Sequence, residues 1–301
     1  MTSATEQSLS KRLKNEGYEG LQLFEKIATR TVDGKEKSRT NRCSRCWHDK
    51  NTRCICSHVP SLAQVKLPIK AIVLMHYKEY FSAGNDAKLL LAMMPEPLKQ
   101  LFIFGKEGDW EKFEAECTLD PHHTILLWPA ENAWTVDDMI DRLPNDSPWR
   151  HCRQTEASST DNVANREDEK QHTSHDNASA DALPTLRVIV LDGVYSQARS
   201  MFRAIKRRFP PSLVPPYVAL HPKTLSVYHR AQKSYAQSSA VSVEKSGDPK
   251  TLHICTVEAF ALLMQEFGEW EETSNALVSA VEVNNLALVH DANVRPPKSK
   301  G

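Results

Sequence analysis

Four short, almost continuous apolar runs, separated by segments with helical patterning, constrain the fold of this chain more than any other feature. Residues 69–76 (IKAIVLMH), 101–104, 124–128 and 186–191 read as buried strands. Helices are expected over 86–94, with Leu89, Leu90 and Met93 on one side, over 109–117, over 135–143 behind an N-cap-like Thr135, and over about 195–209. Two more should follow, one starting near Thr256 and an amphipathic one over about 274–290. This alternation predicts an α/β fold, a mostly parallel sheet flanked by helices. At 301 residues the chain can bury such a core without disulfide staples.

Around this core the composition divides the chain. Residues 1–40 read as a polar N-terminal extension with one amphipathic helical stretch at 20–27, where Leu21, Phe24 and Ile27 share a face. Residues 41–60 hold a cysteine cluster, and the strand pattern beyond Pro60 opens a main domain over 61–291. From 153 to 182 Val163 is the one aliphatic or aromatic side chain larger than alanine, so this stretch is expected to be a disordered insertion, as is a tail at 292–301. Lys and Arg total 38 against 38 Asp and Glu, which excludes a globally basic nucleic-acid binder and confines any RNA surface to a local patch. Apolar runs such as 71–75 fall far short of the ~20 residues that cross a bilayer. Met1 to Gln7 show no basic-then-apolar leader pattern, so cytosol or nucleus is the expected compartment, with no membrane partner and no obligate protein partner indicated.

Five segments carry candidate chemistry. Cys43, Cys46, Cys54 and Cys56 form a Cys-x2-Cys-x7-Cys-x-Cys pattern that can converge on one tetrahedral zinc, and four sulfurs leave no open position, so the site reads as structural. Arg39, Arg42, Arg45 and Arg53 around it are open to two readings, RNA contact or a solvated face. The strand at 186–191 ends in Asp192 and Gly193 and passes straight into a helix, which puts Asp192 where α/β sheets bind ligands or, alternatively, at a helix N-cap. In that helix Arg199, Arg203, Lys206 and Arg207 lie at i, i+4, i+7 and i+8, a stripe able to track phosphates. The remaining segments are His76 to Glu79 with Asn85, paralleled by Pro129 to Ala133 after the third strand; Tyr228 to Lys233; and Thr256 to Ala259, where Thr256 reads as an N-cap and Glu258 suits the first turn. No P-loop, GxGxxG, GxSxG or HExxH occurs, so kinase, dinucleotide oxidoreductase, serine hydrolase and zincin readings lose their usual support.

Taken in order, these segments resemble the DTW-domain family, whose members look like tRNA-uridine aminocarboxypropyltransferases. The resemblance runs from Cys43 to about Gly268 and rests on the cysteine knuckle, His76/Glu79/Asn85, Asp192-Gly193-Val194-Tyr195, Tyr228/Arg230 and Thr256-Val257-Glu258-Ala259. Val194 and Tyr195 stand where the naming signature has threonine and tryptophan, Tyr77 where proline is usual, and Asp86 where threonine follows the asparagine. The resemblance implies a SPOUT-like, knotted architecture with an N-terminal zinc knuckle, and S-adenosylmethionine held by loops at strand ends. It further implies that the 3-amino-3-carboxypropyl group, rather than methyl, passes to the imide nitrogen of a tRNA uridine. Asp192 is then the catalytic candidate, as base or orienting acceptor for that imide. The expected cofactor- or substrate-binding residues are His76, Glu79, Asn85, Pro129, Glu131, Ala133, Gly193, Tyr195, Gln197, Arg199, Tyr228, Arg230, Lys233 and Glu258. Tyr195 would stack on a base or adenine, and Arg230 or Lys233 would bind the cofactor's carboxylate or a tRNA phosphate. Two alternatives stay open: an RNA methyltransferase using the same cofactor, and a zinc-containing tRNA-binding module that has lost catalysis.

Overall fold

The computed structural model describes residues 4–62, 69–145, 147, 185–220, 227, 254–267 and 271–294. The elements run α1 (Ala4–Asn15), α2 (Gly20–Ser38), β1 (Ile69–His76), α3 (Ala87–Met93), β2 (Lys99–Phe104), α4 (Asp109–Thr118), β3 (Thr124–Leu127), α5 (Val136–Arg142), β4 (Leu186–Asp192), α6 (Tyr195–Arg208), β5 (Tyr217–Val218), α7 (Thr256–Glu266) and α8 (Glu271–Val294). The five strands form one sheet in the order β2-β1-β4-β3-β5, with every pairing parallel.

The period of two along the central strands sorts their side chains into two cores. Ile69, Ala71, Val73 and Met75 of β1 and Leu186, Val188 and Val190 of β4 face a layer that takes in α3, α5, α7 and α8. Ile72 and Leu74 of β1 and Ile189 of β4 face the other layer, made by α4 and α6. Burial on both faces is why these strands read as continuous apolar runs rather than alternating ones. The helix after β1 and the helix after β4 therefore leave their adjacent strands toward opposite faces. By the rule for open α/β sheets, such a divergence places a ligand crevice at the carboxyl ends of β1 and β4.

All four predicted strands are present, and a fifth, two-residue strand at Tyr217–Val218 follows Pro215 and Pro216. The 20–27 stretch extends to Ser38 and is preceded by a second helix. Leu13, Ala28 and Val32 are fully buried, so the polar segment contributes part of the core. The last helix likewise exceeds its predicted bounds and reaches Val294, which makes the first residues of the expected tail helical. The expected insertion at 153–182 and the rest of that tail lie outside the described residues.

Candidate active site

Asp192 is the last residue of β4, paired in register with Met75 of β1 and only 2 % exposed. Its two oxygens are held by two elements of the opposite layer. Asn85 donates from Nδ2 to Oδ2 at 2.6 Å, and Thr256 donates from Oγ1 to Oδ1 at 3.0 Å. The amide of Asn85 is itself fixed, because its oxygen accepts the Lys88 backbone N–H at the start of α3 (3.1 Å). Asn85, one residue before the N-cap Asp86, thus holds the first turn of α3 and aims its donor at Asp192. Asp192 is not a helix cap: the N-cap of α6 is Val194, two residues on.

A second buried acid completes the arrangement. Asp86 accepts the Val257 N–H at 3.0 Å, so the first turn of α7 serves both carboxyl groups. Burial, followed by the charge of Asp86, pushes the Asp192 carboxyl up to about 8 against the donors Asn85 and Thr256; burial also raises Asp86. His76, one residue beyond Met75, is driven down to about 4 by burial and then by the Lys78 charge, so its ring is neutral at pH 7. Its Nδ1 accepts the Lys78 N–H (3.3 Å), which leaves the ring proton on Nε2. Lys88 is fully buried, donates to the Ala83 carbonyl, and has its pKa lowered to about 7, mainly by burial.

The turn after β1 is held from outside the sheet. Lys35 of α2 donates to the carbonyls of Tyr77, Lys78 and Tyr80 at 3.1, 2.7 and 3.0 Å, and Arg39 donates to that of Phe81. Buried Glu79 sits in this turn with its N–H on the His76 carbonyl (2.9 Å). On the β4 side, Gln197 accepts the Val194 N–H at 2.9 Å and folds back over Gly193. A Cβ at Gly193 would lie 2.8 Å from the Gln197 Oε1 and 3.4 Å from the His76 Cβ, so only glycine fits the present packing.

The other predicted residues divide between places. Glu258 is buried with its carboxylate on the N–H groups of Cys255 (2.8 Å) and Val227 (2.7 Å), which ties the start of α7 to residue 227. The N-cap of α7 is Cys255 rather than Thr256, whose hydroxyl is committed to Asp192 instead. Register along β3 and β4 puts the loop of exposed Pro129, exposed Glu131 and Ala133 level with Asp192, anchored to β5 through Trp128 and Trp134. Tyr195 and Val194 are half-exposed at the crevice mouth. Arg199, Arg203, Lys206 and Arg207 are all exposed on α6, but Arg207 turns toward a cavity of about 490 Å³ lined also by Phe24, Phe104 and Trp110. Tyr228, Arg230 and Lys233 lie outside the described residues. Asp86 and Thr256 were not expected as site residues, because each had a sufficient local explanation at a helix start.

The cysteine cluster folds as its spacing predicts. The Sγ atoms of Cys43, Cys46, Cys54 and Cys56 all lie within 4.8 Å of one another, with Cys43 and Cys56 3.5 Å apart and Cys46 and Cys54 3.7 Å apart. Zinc–sulfur bonds of ~2.3 Å in a tetrahedron put sulfurs ~3.8 Å apart, so the donor set fits the ion. His48 bonds instead to Asn284 of α8 (2.8 Å), and Trp47 packs edge-on against Tyr80, so the knuckle is joined to the core beside the turn after β1. Arg42 and Arg45 donate to the carbonyls of Trp47 and Ala92, which gives these arginines a structural role.

Residues 40–285 match the family model described as the DTW domain. No curated protein and no solved structure matches the chain.

Proposed function

Because this chain belongs to the DTW-domain family, the tRNA-uridine aminocarboxypropyltransferase family, we propose that it transfers the 3-amino-3-carboxypropyl group of S-adenosylmethionine to the ring imide nitrogen of a uridine in tRNA, methylthioadenosine being the other product. The observation that carries this reading is a buried aspartate at the crevice between β1 and β4, held at both oxygens by Asn85 and Thr256. When bound, S-adenosylmethionine supplies the alkyl group and a sulfonium leaving group; the protein must supply position and a destination for the imide proton.

Asp192 is the residue for that proton. An ordinary carboxylate is too weak a base for a mostly neutral ring imide; a pKa raised to about 8 narrows the gap, the ionised fraction is the form that accepts the proton, and transfer is therefore expected to rise with pH up to about 8. Asn85 and Thr256 fix the plane of the carboxyl group, so the base is pre-oriented. Neutral His76, which by the strand's period of two lies on the other face of β1 against Tyr77 and Phe104, is assigned to cofactor or substrate binding rather than to the proton. Gly193 and Gln197 shape the floor of the crevice, and Pro129, Glu131 and Ala133 belong to the neighbouring loop assigned to the cofactor. Glu258 positions residue 227 and, through it, the segment carrying Tyr228, Arg230 and Lys233, which we assign to a cofactor carboxylate or a tRNA phosphate. The architecture we propose is SPOUT-like, with 41–60 a structural zinc knuckle and 61–291 the catalytic domain, and Arg199, Arg203, Lys206 and Arg207 facing tRNA.

The test is transfer to unmodified tRNA by wild type, Asp192→Asn and Asp192→Ala proteins of verified fold. Loss of transfer in both variants, with tRNA affinity retained, supports the assignment. Near-normal transfer in both overturns it.

A further inference from the structure

Beside the crevice, α6 carries a second pattern that the charge stripe conceals. Tyr195, Arg199, Phe202 and Lys206 alternate aromatic and basic at i, i+4, i+7 and i+11, so they share one flank of the helix. Arg199 lies over the Tyr195 ring at 4.8 Å and Lys206 near the Phe202 ring at 5.8 Å. From the end of β3, Trp128 joins the two rings, stacked on Tyr195 with centroids 6.2 Å apart at 10° and on Phe202 at 4.7 Å and 20°. The result is a stack of three nearly parallel rings with Trp128 between the other two; Trp128 and Phe202 are half-buried, and Tyr195, 52 % exposed beside Arg199, is the end that faces solvent. Exposed Arg203 continues the basic edge.

A duplex presents phosphates and hides its base faces, so phosphates alone need only the basic edge. Exposed aromatic faces beside cations suit unpaired bases whose backbone runs along the charges. We propose that Tyr195, backed by Trp128 and Phe202, forms a stacking platform for unpaired RNA bases, with Arg199, Arg203 and Lys206 taking the phosphates beside it, so that the enzyme engages a single-stranded segment of its substrate. This deepens the tRNA reading and rests on it. It also follows the chemistry of the proposed acceptor, because a uridine imide nitrogen is available only when the base is unpaired. Tyr195 stands three residues after Asp192, so the platform leads bases toward the crevice.

The experiment measures binding alone, without cofactor or turnover, by fluorescence anisotropy of a labelled oligouridylate and of a blunt RNA duplex of equal charge. Tyr195→Ala should weaken oligouridylate binding about tenfold, the scale of one lost base stack, while changing duplex binding less than about twofold. Tyr195→Phe, which keeps the ring, should bind like wild type, and Arg199→Ala should weaken both ligands. Equal effects of Tyr195→Ala on both ligands, or no effect on either, overturn the proposal. So does a loss of S-adenosylmethionine affinity in Tyr195→Ala with oligouridylate binding unchanged, which would make the ring an adenine support. A wild type that shows the platform behaviour yet yields no aminocarboxypropyl product would refute the catalytic reading and leave the platform standing.

Discussion

Replacing Asp192 by asparagine should make the protein more stable as well as inactive, and the gain should grow with pH in a defined direction. Burial, reinforced by Asp86, raises the carboxyl from 3.8 to about 8 in the folded state. Between those values the folded protein holds a proton that the unfolded chain has released. Stability from this group is therefore complete below about pH 4 and is lost as pH rises to about 8. At ~1.36 kcal/mol per pKa unit, the loss at pH 7 is on the order of 4 kcal/mol, of which about 2–3 kcal/mol accrues between pH 5 and pH 7. Asparagine does not ionise, and it can keep both bonds, its oxygen accepting from Asn85 and its amide donating to the Thr256 hydroxyl. Urea unfolding of both proteins across about pH 5 to 9 reads the difference, in which carboxyl groups other than the neighbouring Asp86 largely cancel. The variant should gain on wild type by about 2–3 kcal/mol from pH 5 to pH 7, and the gap should level off above pH 8. Parallel stability profiles, or a variant less stable than wild type at pH 8, would refute the reasoning that the protein holds a strained, buried base.

Three further perturbations test the supports of the site. Removing zinc with a chelator, or replacing Cys46 by serine, should lower unfolding stability by at least about 3 kcal/mol, because metal binding is linked to folding; elemental analysis should give one zinc per chain before treatment and none after. Gly193→Ala forces Gln197 off the Val194 N–H, so we expect about 1 kcal/mol of stability and roughly tenfold in transfer rate to be lost, read by urea unfolding and nucleoside analysis. Lys35→Met leaves the carbonyls of Tyr77, Lys78 and Tyr80 without their shared donor; unfolding should show a loss of about 2–3 kcal/mol, and transfer should fall because the turn carrying Glu79 loosens.

The parts of this molecule that were legible in the sequence are those whose cause is local. Buried parallel strands announce themselves as apolar runs, and the cysteine cluster by a spacing that suits one tetrahedral metal. Asp192 was legible because a strand, an acid and a glycine lead straight into a helix. Its partners were not. Thr256 and Asp86 stand at helix starts, where capping accounts for any small polar residue, and their approach to Asp192 depends on how α3 and α7 pack on the sheet. The same limit hid the second half of α2, whose buried Ala28 and Val32 lie beyond the expected 20–27 stretch in a segment polar enough to read as an extension. This helix lies before the segment matched by the family model, which starts at residue 40, yet it fixes the turn after β1. The two-residue β5 is too short, directly behind Pro215 and Pro216, to show as an apolar run. Trp128 and Phe202 gave no signal individually, since isolated aromatics are ordinary core residues; what distinguishes them is that they stack into one run with exposed Tyr195.

The central claim is the identity of the transferred group, and it is read most directly by incubating the wild-type protein with unmodified tRNA and S-adenosylmethionine, then analysing nucleosides and spent cofactor by mass spectrometry. Our account predicts aminocarboxypropyl-uridine together with methylthioadenosine in equal amounts. A methylated nucleoside with S-adenosylhomocysteine, or tRNA bound tightly and released unchanged, would contradict it.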